Sequence, residues 1–121
     1  MPQSYDFEVT LRGARPRVWR RFLLSTSATF FDLHVALQRA CGWQDSHLFE
    51  FHSEKPARRI AGVPGDWEAD GPEVPDARDV RLSSWFGEGR KSVVYEYDFG
   101  DCWVHDIQLR GVVDHDEKHK R

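Results

Sequence analysis

The first patterned segment of the chain alternates between apolar and polar residues. Its apolar positions are Tyr5, Phe7, Val9 and Leu11. A repeat of two residues places these side chains on one face of a β-strand. Gly13 to Pro16 predicts a turn, because glycine tolerates positive φ and proline can only begin a new strand. Arg17 to Leu24 is therefore predicted to return as the second strand of a hairpin, and its apolar residues on both faces indicate cover on both faces.

The next segment has the spacing of an amphipathic helix. Thr29, followed three residues later by Asp32, resembles a capping box with Asp in place of the usual Glu. A helical repeat then predicts a buried stripe. The stripe consists of Phe30, Leu33, Leu37 and Ala40. Gly42 is the expected end of this helix.

The middle of the chain combines a short pattern with a long stretch of turn residues. His47 to His52 alternates and predicts a third strand with Phe49 and Phe51 on one face. Residues 53–78 contain four prolines and three glycines, so they are predicted to form a long loop. Asp79 to Phe86 predicts a short helical turn that presents its apolar side chains to the core.

A second hairpin is predicted by the stretch YEYDFGDCWVHDIQL, Tyr95 to Leu109. A two-residue loop would put the apolar sets of its two strands on opposite faces of the sheet. A three-residue loop over Gly100–Cys102 brings them to the same face, because a slip of one residue reverses every side chain. The three-residue loop is therefore predicted, and it pairs Tyr97 with His105.

The order of elements is a hairpin, a helix, a strand, a long loop and a second hairpin. It predicts an α+β fold with a β-grasp-like mixed sheet and one main helix packed on one face. The 121 residues suit one domain, which we place at residues 1–111. Residues 112–121 are polar and are expected to form a tail.

Composition narrows the class of protein. Hydrophobic residues make up 40% of the chain and charged residues 31%, as in ordinary soluble proteins. No apolar run has the length of a membrane span, and the first residues do not resemble a signal peptide. Two cysteines do not make a disulfide framework, so a cytoplasmic location is expected, with no membrane partner.

Charge is unevenly spread, although the net charge is only −3. The segment from Val9 to Phe31 contains five arginines and no acidic residue. These candidate phosphate or partner contacts are Arg12, Arg15, Arg17, Arg20 and Arg21. Such a basic hairpin suits a nucleic-acid backbone or an acidic protein partner. The simpler interpretation is that this segment and residues 66–79, which carry six acids, form two oppositely charged loops on the surface.

Seven polar residues form a candidate cluster around the helix and the second hairpin. They are His34, Gln38, His47, Tyr97, Asp98, Asp101 and His105. If the helix packs on the sheet, the three histidines approach one another and offer ligands for a divalent metal. A His–Asp pair would also suit acid–base catalysis. The alternative is structural, because buried polar groups need partners and these residues can supply them to one another.

Three stretches together resemble one protein family. They are RPRVWRRFLL, FFDLHVALQRACGWQDSHLFEF and YEYDFGDCWVHDIQL. They are similar to the plasmid pRiA4b ORF-3-like family, whose members occur on plasmids, in chromosomes and with insertion sequences. The resemblance implies an α+β fold and an association with mobile elements, but no particular activity. Family members usually continue past the second hairpin into a helical segment, which would begin near the point where this sequence ends. Without that segment an apolar patch is expected to be exposed, and such a patch would favour self-association.

The function expected from the sequence is that of a non-enzymatic binding or interaction module. Its expected partner is a protein or a second copy of the chain, and no cofactor is expected. One alternative is a metal-dependent enzyme that uses the His/Asp cluster, with a divalent metal held by His34, His47 and His105. Another is a nucleic-acid-binding accessory protein of a mobile element that uses the arginine hairpin.

Overall fold

The computed structural model describes residues 3–41, 49–55, 57–63, 74–97 and 103–114. The strands are β1 Gln3–Leu11, β2 Trp19–Ser25, β3 Phe49–Glu54, β4 Ala57–Gly62, β5 Ser92–Tyr97 and β6 Trp103–Asp114. The helices are α1 Phe30–Cys41 and the single-turn α2 Ser83–Phe86, with a 3-10 turn at Ala77–Asp79. The chain therefore has the α+β composition that its sequence predicts.

One six-stranded sheet organises the molecule, in the order β2-β1-β6-β5-β3-β4. All five pairings between these strands are antiparallel. The predicted mixed, β-grasp-like arrangement is therefore not confirmed. The last strand in sequence, β6, lies in the interior of the sheet between β1 and β5. The ends of the described chain meet there, where Gln3 is opposite Asp114.

Both helices pack on one face of this sheet, which we call the inner face. The capping box of α1 is confirmed: Thr29 N donates to Asp32 Oδ2 at 2.9 Å, and Asp32 N donates to Thr29 Oγ1 at 3.2 Å. Phe30 and Leu33 are completely buried. The ring of Phe86 in α2 packs edge-on against Phe7 of β1, with centroids 5.1 Å apart. Gly42, the predicted end of α1, lies outside the described residues.

The register of the second hairpin differs from the prediction by two residues. Tyr95 lies opposite His105, and Tyr97 lies opposite Trp103, so five residues separate the strands. The predicted pairing of Tyr97 with His105 is wrong. The predicted coincidence of the apolar faces is confirmed, because loops of three and five residues have the same parity. Asp98 and Asp101 lie outside the described residues.

The predicted long loop at residues 53–78 contains a strand that sequence reasoning missed. β3 continues through Ser53 and Glu54, and β4 then pairs with it. A small residue is required at Gly62, where a Cβ atom would lie 2.8 Å from the carbonyl oxygen of Phe49. The helical turn predicted at Asp79 to Phe86 corresponds to the 3-10 turn and α2.

The predicted polar tail at residues 112–121 begins too early. β6 continues through Val112 and Val113 to Asp114, whose Oδ1 accepts a 2.7 Å hydrogen bond from Gln3 Nε2. The register of β6 against β1 shifts next to Phe7, which leaves Arg110 as the extra residue of a bulge. Residues 115–121 lie outside the described part of the chain.

The opposite face of the sheet, which we call the outer face, is not covered by any of the described helices. Side chains of alternating residues project to it, and many of them are charged. Ion pairs join its neighbouring strands, as between Asp6 of β1 and Arg21 of β2 at 2.8 Å. The sheet therefore has one face in the apolar core and one face of paired charges.

Candidate functional site

A buried polar cluster lies between α1 and the middle of the sheet, with the Tyr95 hydroxyl at its centre. His34 Nδ1 is 2.7 Å from this oxygen. Gln38 Nε2 donates to it at 3.0 Å. His34 and Tyr95 are completely buried, and Gln38 is nearly so. The hydroxyl thus has hydrogen-bond partners on two sides, as buried polar groups require.

The geometry of the helix explains why these side chains meet. His34 and Gln38 are four residues apart, so they lie one above the other on the same face of α1. Tyr95 projects from β5 toward that face. The imidazole of His34 also stacks on Phe49 of β3, with ring centroids 3.7 Å apart and planes 7° apart. Helix and sheet together hold the cluster in one arrangement.

His105 completes the described part of the cluster from the neighbouring strand. It lies opposite Tyr95 in the register of β5 and β6, with ring centroids 5.8 Å apart, and it is 2% exposed. The structure therefore brings His34 and His105 to the surroundings of one phenol. Tyr97 is buried beside His34, at a centroid distance of 6.3 Å. His47 lies outside the described residues, as do Asp98 and Asp101.

Tyr95 is the residue of this cluster that sequence reasoning missed. The alternation of the second hairpin places it on the buried face with Tyr97, and this was the available signal. Which of the two tyrosines lies opposite His105 depends on the length of the hairpin loop, and the loop was predicted two residues too short.

The described residues do not contain a complete set of ligands for a metal ion. Within them, no group of three or more His, Cys, Asp and Glu side chains is arranged to hold a metal ion. The predicted ligand set depends on His47, which lies outside the described residues. Gln38 Oε1 is buried and accepts no hydrogen bond from a described residue.

The five arginines do not form one basic surface. Arg12 bridges two carboxylates, with Nη1 3.2 Å from Glu54 Oε2 and Nη2 2.6 Å from Asp106 Oδ1. The hydrogen bonds with Asp106 and Glu54 raise the pKa of the Arg12 guanidinium above its usual value. Arg17 pairs with Glu8 at 2.5 Å. These arginines are therefore engaged by acids on the outer face.

The other three arginines differ from one another in their surroundings. Arg21 donates two hydrogen bonds to Asp6, and this contact lowers the pKa of the Asp6 carboxyl below its usual value of 3.8. Arg20 projects to the inner side and donates to the carbonyl of Ala40 at 3.3 Å. Arg15 lies exposed in the turn before β2. A phosphate at this hairpin would have to compete with the carboxylates already paired there.

An exposed apolar surface of the described residues includes the edge strand β2. Val18 is 39% exposed, Trp19 46% and Leu23 48%. Among the described strands only β1 pairs with β2, so one side of β2 has no described strand beside it. The predicted cover on both faces of β2 is wrong, because only Phe22 and Leu24 pack against the core.

A groove of about 570 Å³ runs between β2 and the adjacent side of α1. It is lined by Leu24, Ser25, Ser27, Ala28, Asp32, Val35, Ala36 and Arg39. Its wall on α1 has a charged residue at each end and two small apolar residues between them. The last two residues of β2, Leu24 and Ser25, share this groove with α1.

Comparison with known proteins identifies relatives. A family model described as plasmid pRiA4b ORF-3-like protein matches residues 3–121, which confirms the resemblance drawn from the three sequence stretches. The uncharacterized protein y4hQ of Sinorhizobium fredii is 41% identical over 103 residues, covering 84% of this chain and 50% of that protein. The chain thus spans about half the length of the curated relative it matches.

A solved structure has the same fold. It is the crystal structure of a protein of unknown function, MM3350, from Methanosarcina mazei Go1. The TM-score is 0.84 at 31% sequence identity, and the match covers 100% of this chain and 67% of that one. In the described part of the present chain, no helix has the length and apolar character needed to cross a membrane.

Proposed function

Because this chain belongs to the plasmid pRiA4b ORF-3-like family, whose relatives compared above are described as uncharacterized or of unknown function, we propose its function from its surface. It is a non-enzymatic interaction module that binds a strand of a protein partner along β2. The observation that carries this proposal is the exposure of Trp19 and Leu23 on a strand whose outer edge is unpaired among the described residues.

The backbone of β2 offers a row of hydrogen-bonding groups, although Trp19 O already accepts from Arg20 Nη1 at 2.7 Å and Ser25 O from Ala28 N at 3.0 Å. Leu11 N donates to Val18 O, and Thr26 N donates to Gln3 O. These two bonds fix the phase of the ladder, because antiparallel pairing alternates bonded and non-bonded residues. The residues that direct N–H and C=O away from β1 are therefore Trp19, Arg21, Leu23 and Ser25. An added strand would pair with the N–H and C=O groups of Arg21 and Leu23 and cover the exposed apolar side chains.

The opposite edge of the sheet is less suited to such pairing. There Gly62 N donates to Pro75 O at 2.8 Å, and Gly62 forms a parallel bridge with Asp76. The end of β4 is thereby partly covered by the chain itself. The arginines of β2 add selectivity, because charges on an edge strand disfavour indiscriminate pairing.

Photo-crosslinking tests this proposal. The full chain carrying benzoylphenylalanine in place of Leu23 is irradiated in cells that naturally make the protein, and adducts are detected by mass. The control carries the same substitution at Ala57, an exposed position on the opposite edge strand. We expect adducts at position 23 and fewer at position 57. Equal yields at both positions, or none at position 23, would overturn the proposal.

The buried cluster supports a structural role within this module. The Tyr95 hydroxyl lies between His34 and Gln38 inside the core, away from the exposed edge of β2.

The metal-dependent alternative requires His47 and an acid of the second hairpin to join His34 and His105. An anomalous-scattering scan of crystals grown with Zn²⁺ tests this alternative. The nucleic-acid alternative requires salt-sensitive binding that weakens in an Arg15→Ala variant.

A further inference from the structure

We propose that the strand bound by β2 is the β2 of a second copy, and that the two copies also pair through α1. This inference rests on the proposed function and names its partner. It follows from a self-complementary pattern of residues on the surface formed by β2 and α1. The interface has two-fold symmetry, so every contact in it occurs twice.

The side of α1 that faces the groove is separate from its core stripe. It consists of Asp32, Val35, Ala36 and Arg39. Their spacing of three, four and seven residues places them on one face of the helix. Asp32 and Arg39 are exposed, and Val35 and Ala36 are half-buried. Arg39 forms no ion pair with any of the described residues.

This face is complementary to itself when two helices run antiparallel. A two-fold axis between Val35 and Ala36 brings Asp32 of each copy toward Arg39 of the other. Two oppositely charged pairs then flank a centre of small apolar side chains, which allow helices to approach closely. The same face would place like charges together if the helices ran parallel, so the charges select the antiparallel arrangement.

The edge strand selects its register by the same reasoning. Antiparallel pairing about Phe22 uses the whole of β2 and places Arg21 opposite Leu23 of the other copy. A register shifted by two residues toward Trp19 would place Arg21 opposite Arg21, which is unfavourable. In the favoured register the aliphatic part of Arg21 covers Leu23, and no arginine lies directly opposite another.

A single two-fold axis can relate both pairs of elements, which supports the proposal. The hydrogen bond from Arg20 to the Ala40 carbonyl aligns the start of β2 with the end of α1. Ala40 lies about 7 Å along the helix from the midpoint of Val35 and Ala36, and Arg20 lies about 7 Å along β2 from Phe22. One axis can therefore pass through the centres of both elements.

Charge reversal provides a specific test. The full chain is examined by light scattering coupled to size exclusion and by sedimentation, with Arg39→Glu and Asp32→Arg as variants. We expect the wild-type chain to dimerise, and each variant alone to raise the dimer dissociation constant at least about ten-fold, because like charges then meet twice. An equimolar mixture of the two variants restores opposite charges at both contacts and should restore the dimer.

The mixture also controls for misfolding, because two unfolded variants would not rescue each other. Arg39→Glu changes an exposed residue, whereas Asp32→Arg also removes the carboxylate that accepts the hydrogen bond from Thr29 N at the start of α1. Circular dichroism therefore checks that both variants remain folded. A wild-type chain that stays monomeric, or a mixture that fails to dimerise while both variants are folded, overturns the self-pairing. If self-pairing is overturned but position 23 crosslinks to a different protein, the proposed strand-binding function stands without self-pairing. If no adduct forms at position 23, the proposed function and the self-pairing both fail.

Discussion

At the scale of single residues, Tyr95 connects the helix to the sheet. Its hydroxyl lies 2.7 Å from His34 and 3.0 Å from Gln38. The sequence identified His34, Gln38 and His105 as polar residues near the core, because each lies close to an apolar stripe. It did not identify Tyr95, because loops of three and five residues both satisfy the alternation and differ only in the tyrosine they place opposite His105.

Replacing Tyr95 with phenylalanine should destabilise the protein. The change removes a hydroxyl from a completely buried site and leaves the Gln38 amide without that acceptor. We expect the free energy of unfolding to fall by about 1–3 kcal/mol, the usual effect of leaving a buried polar group unsatisfied. Urea denaturation followed by circular dichroism measures it.

Tyr5→Phe is the matched control for this variant. Tyr5 is also a buried tyrosine of an interior strand, but its hydroxyl makes no hydrogen bond with a described residue. We expect its removal to change the unfolding free energy by less than about 0.5 kcal/mol. Equal losses in the two variants would show that the Tyr95 contacts contribute nothing specific.

At the scale of elements, predictability followed the clarity of the alternation. β1 is buried on one face along its interior, so its period of two is clear, and Tyr5, Phe7 and Val9 are buried as predicted. β2 lies at the edge and is half-covered on one face, so its pattern is mixed. β4 has the sequence ARRIAG, which does not alternate. It is specified by pairing with β3 and by the small residue Gly62, neither of which a local pattern shows.

The ion pair between β1 and β2 should give the hairpin a dependence on pH. Arg21 lowers the pKa of Asp6 in the folded chain below the ordinary value of 3.8. The stabilisation is therefore present above about pH 4 and is lost as pH falls through the lowered pKa. Both side chains are partly exposed, so we expect Asp6→Asn to cause a small loss of stability at pH 7 and a smaller loss as the pH falls below 3.8.

Urea midpoints of the wild-type chain and of Asp6→Asn at pH 7 and pH 2 measure this difference. The variant Arg21→Gln should show the same loss at pH 7, and the double variant should lose no more than either single one. A constant difference between wild type and variant across this range would contradict the role of the ion pair.

At the scale of the whole molecule, the position of β6 was the least predictable feature. Strands that are consecutive in sequence usually pair with each other, but β6 lies between β1 and β5. The last strand therefore pairs with the first, and the two ends of the described chain meet. No local signal distinguishes this position from an edge, because the same alternation fits both. The prediction that the tail begins at residue 112 failed for the same reason: Val112 and Val113 are exposed, but they still pair with β1.

Shortening the chain tests the contribution of this strand end. A chain ending at Gly111 loses the partners of Gln3, Ser4 and Tyr5, compared with a chain ending at Asp114. We expect the shorter form to unfold with about 2–4 kcal/mol less free energy, from two or three lost hydrogen bonds and the exposure of Tyr5. Thermal and urea denaturation of the two forms provide the comparison. Equal stabilities would mean that residues 112–114 behave as a tail.

The interior position of β6 also determines when the chain can complete its fold during synthesis. Until β6 has been made, the β1–β2 hairpin and the β3, β4 and β5 strands have no shared partner. The contact between Gln3 and Asp114 closes a separation of 111 residues, and contacts of such long range form slowly. A nascent chain therefore exposes two incomplete sheets with open edges at once. Translation that pauses before Trp103 would leave those edges available for aggregation and for binding by chaperones.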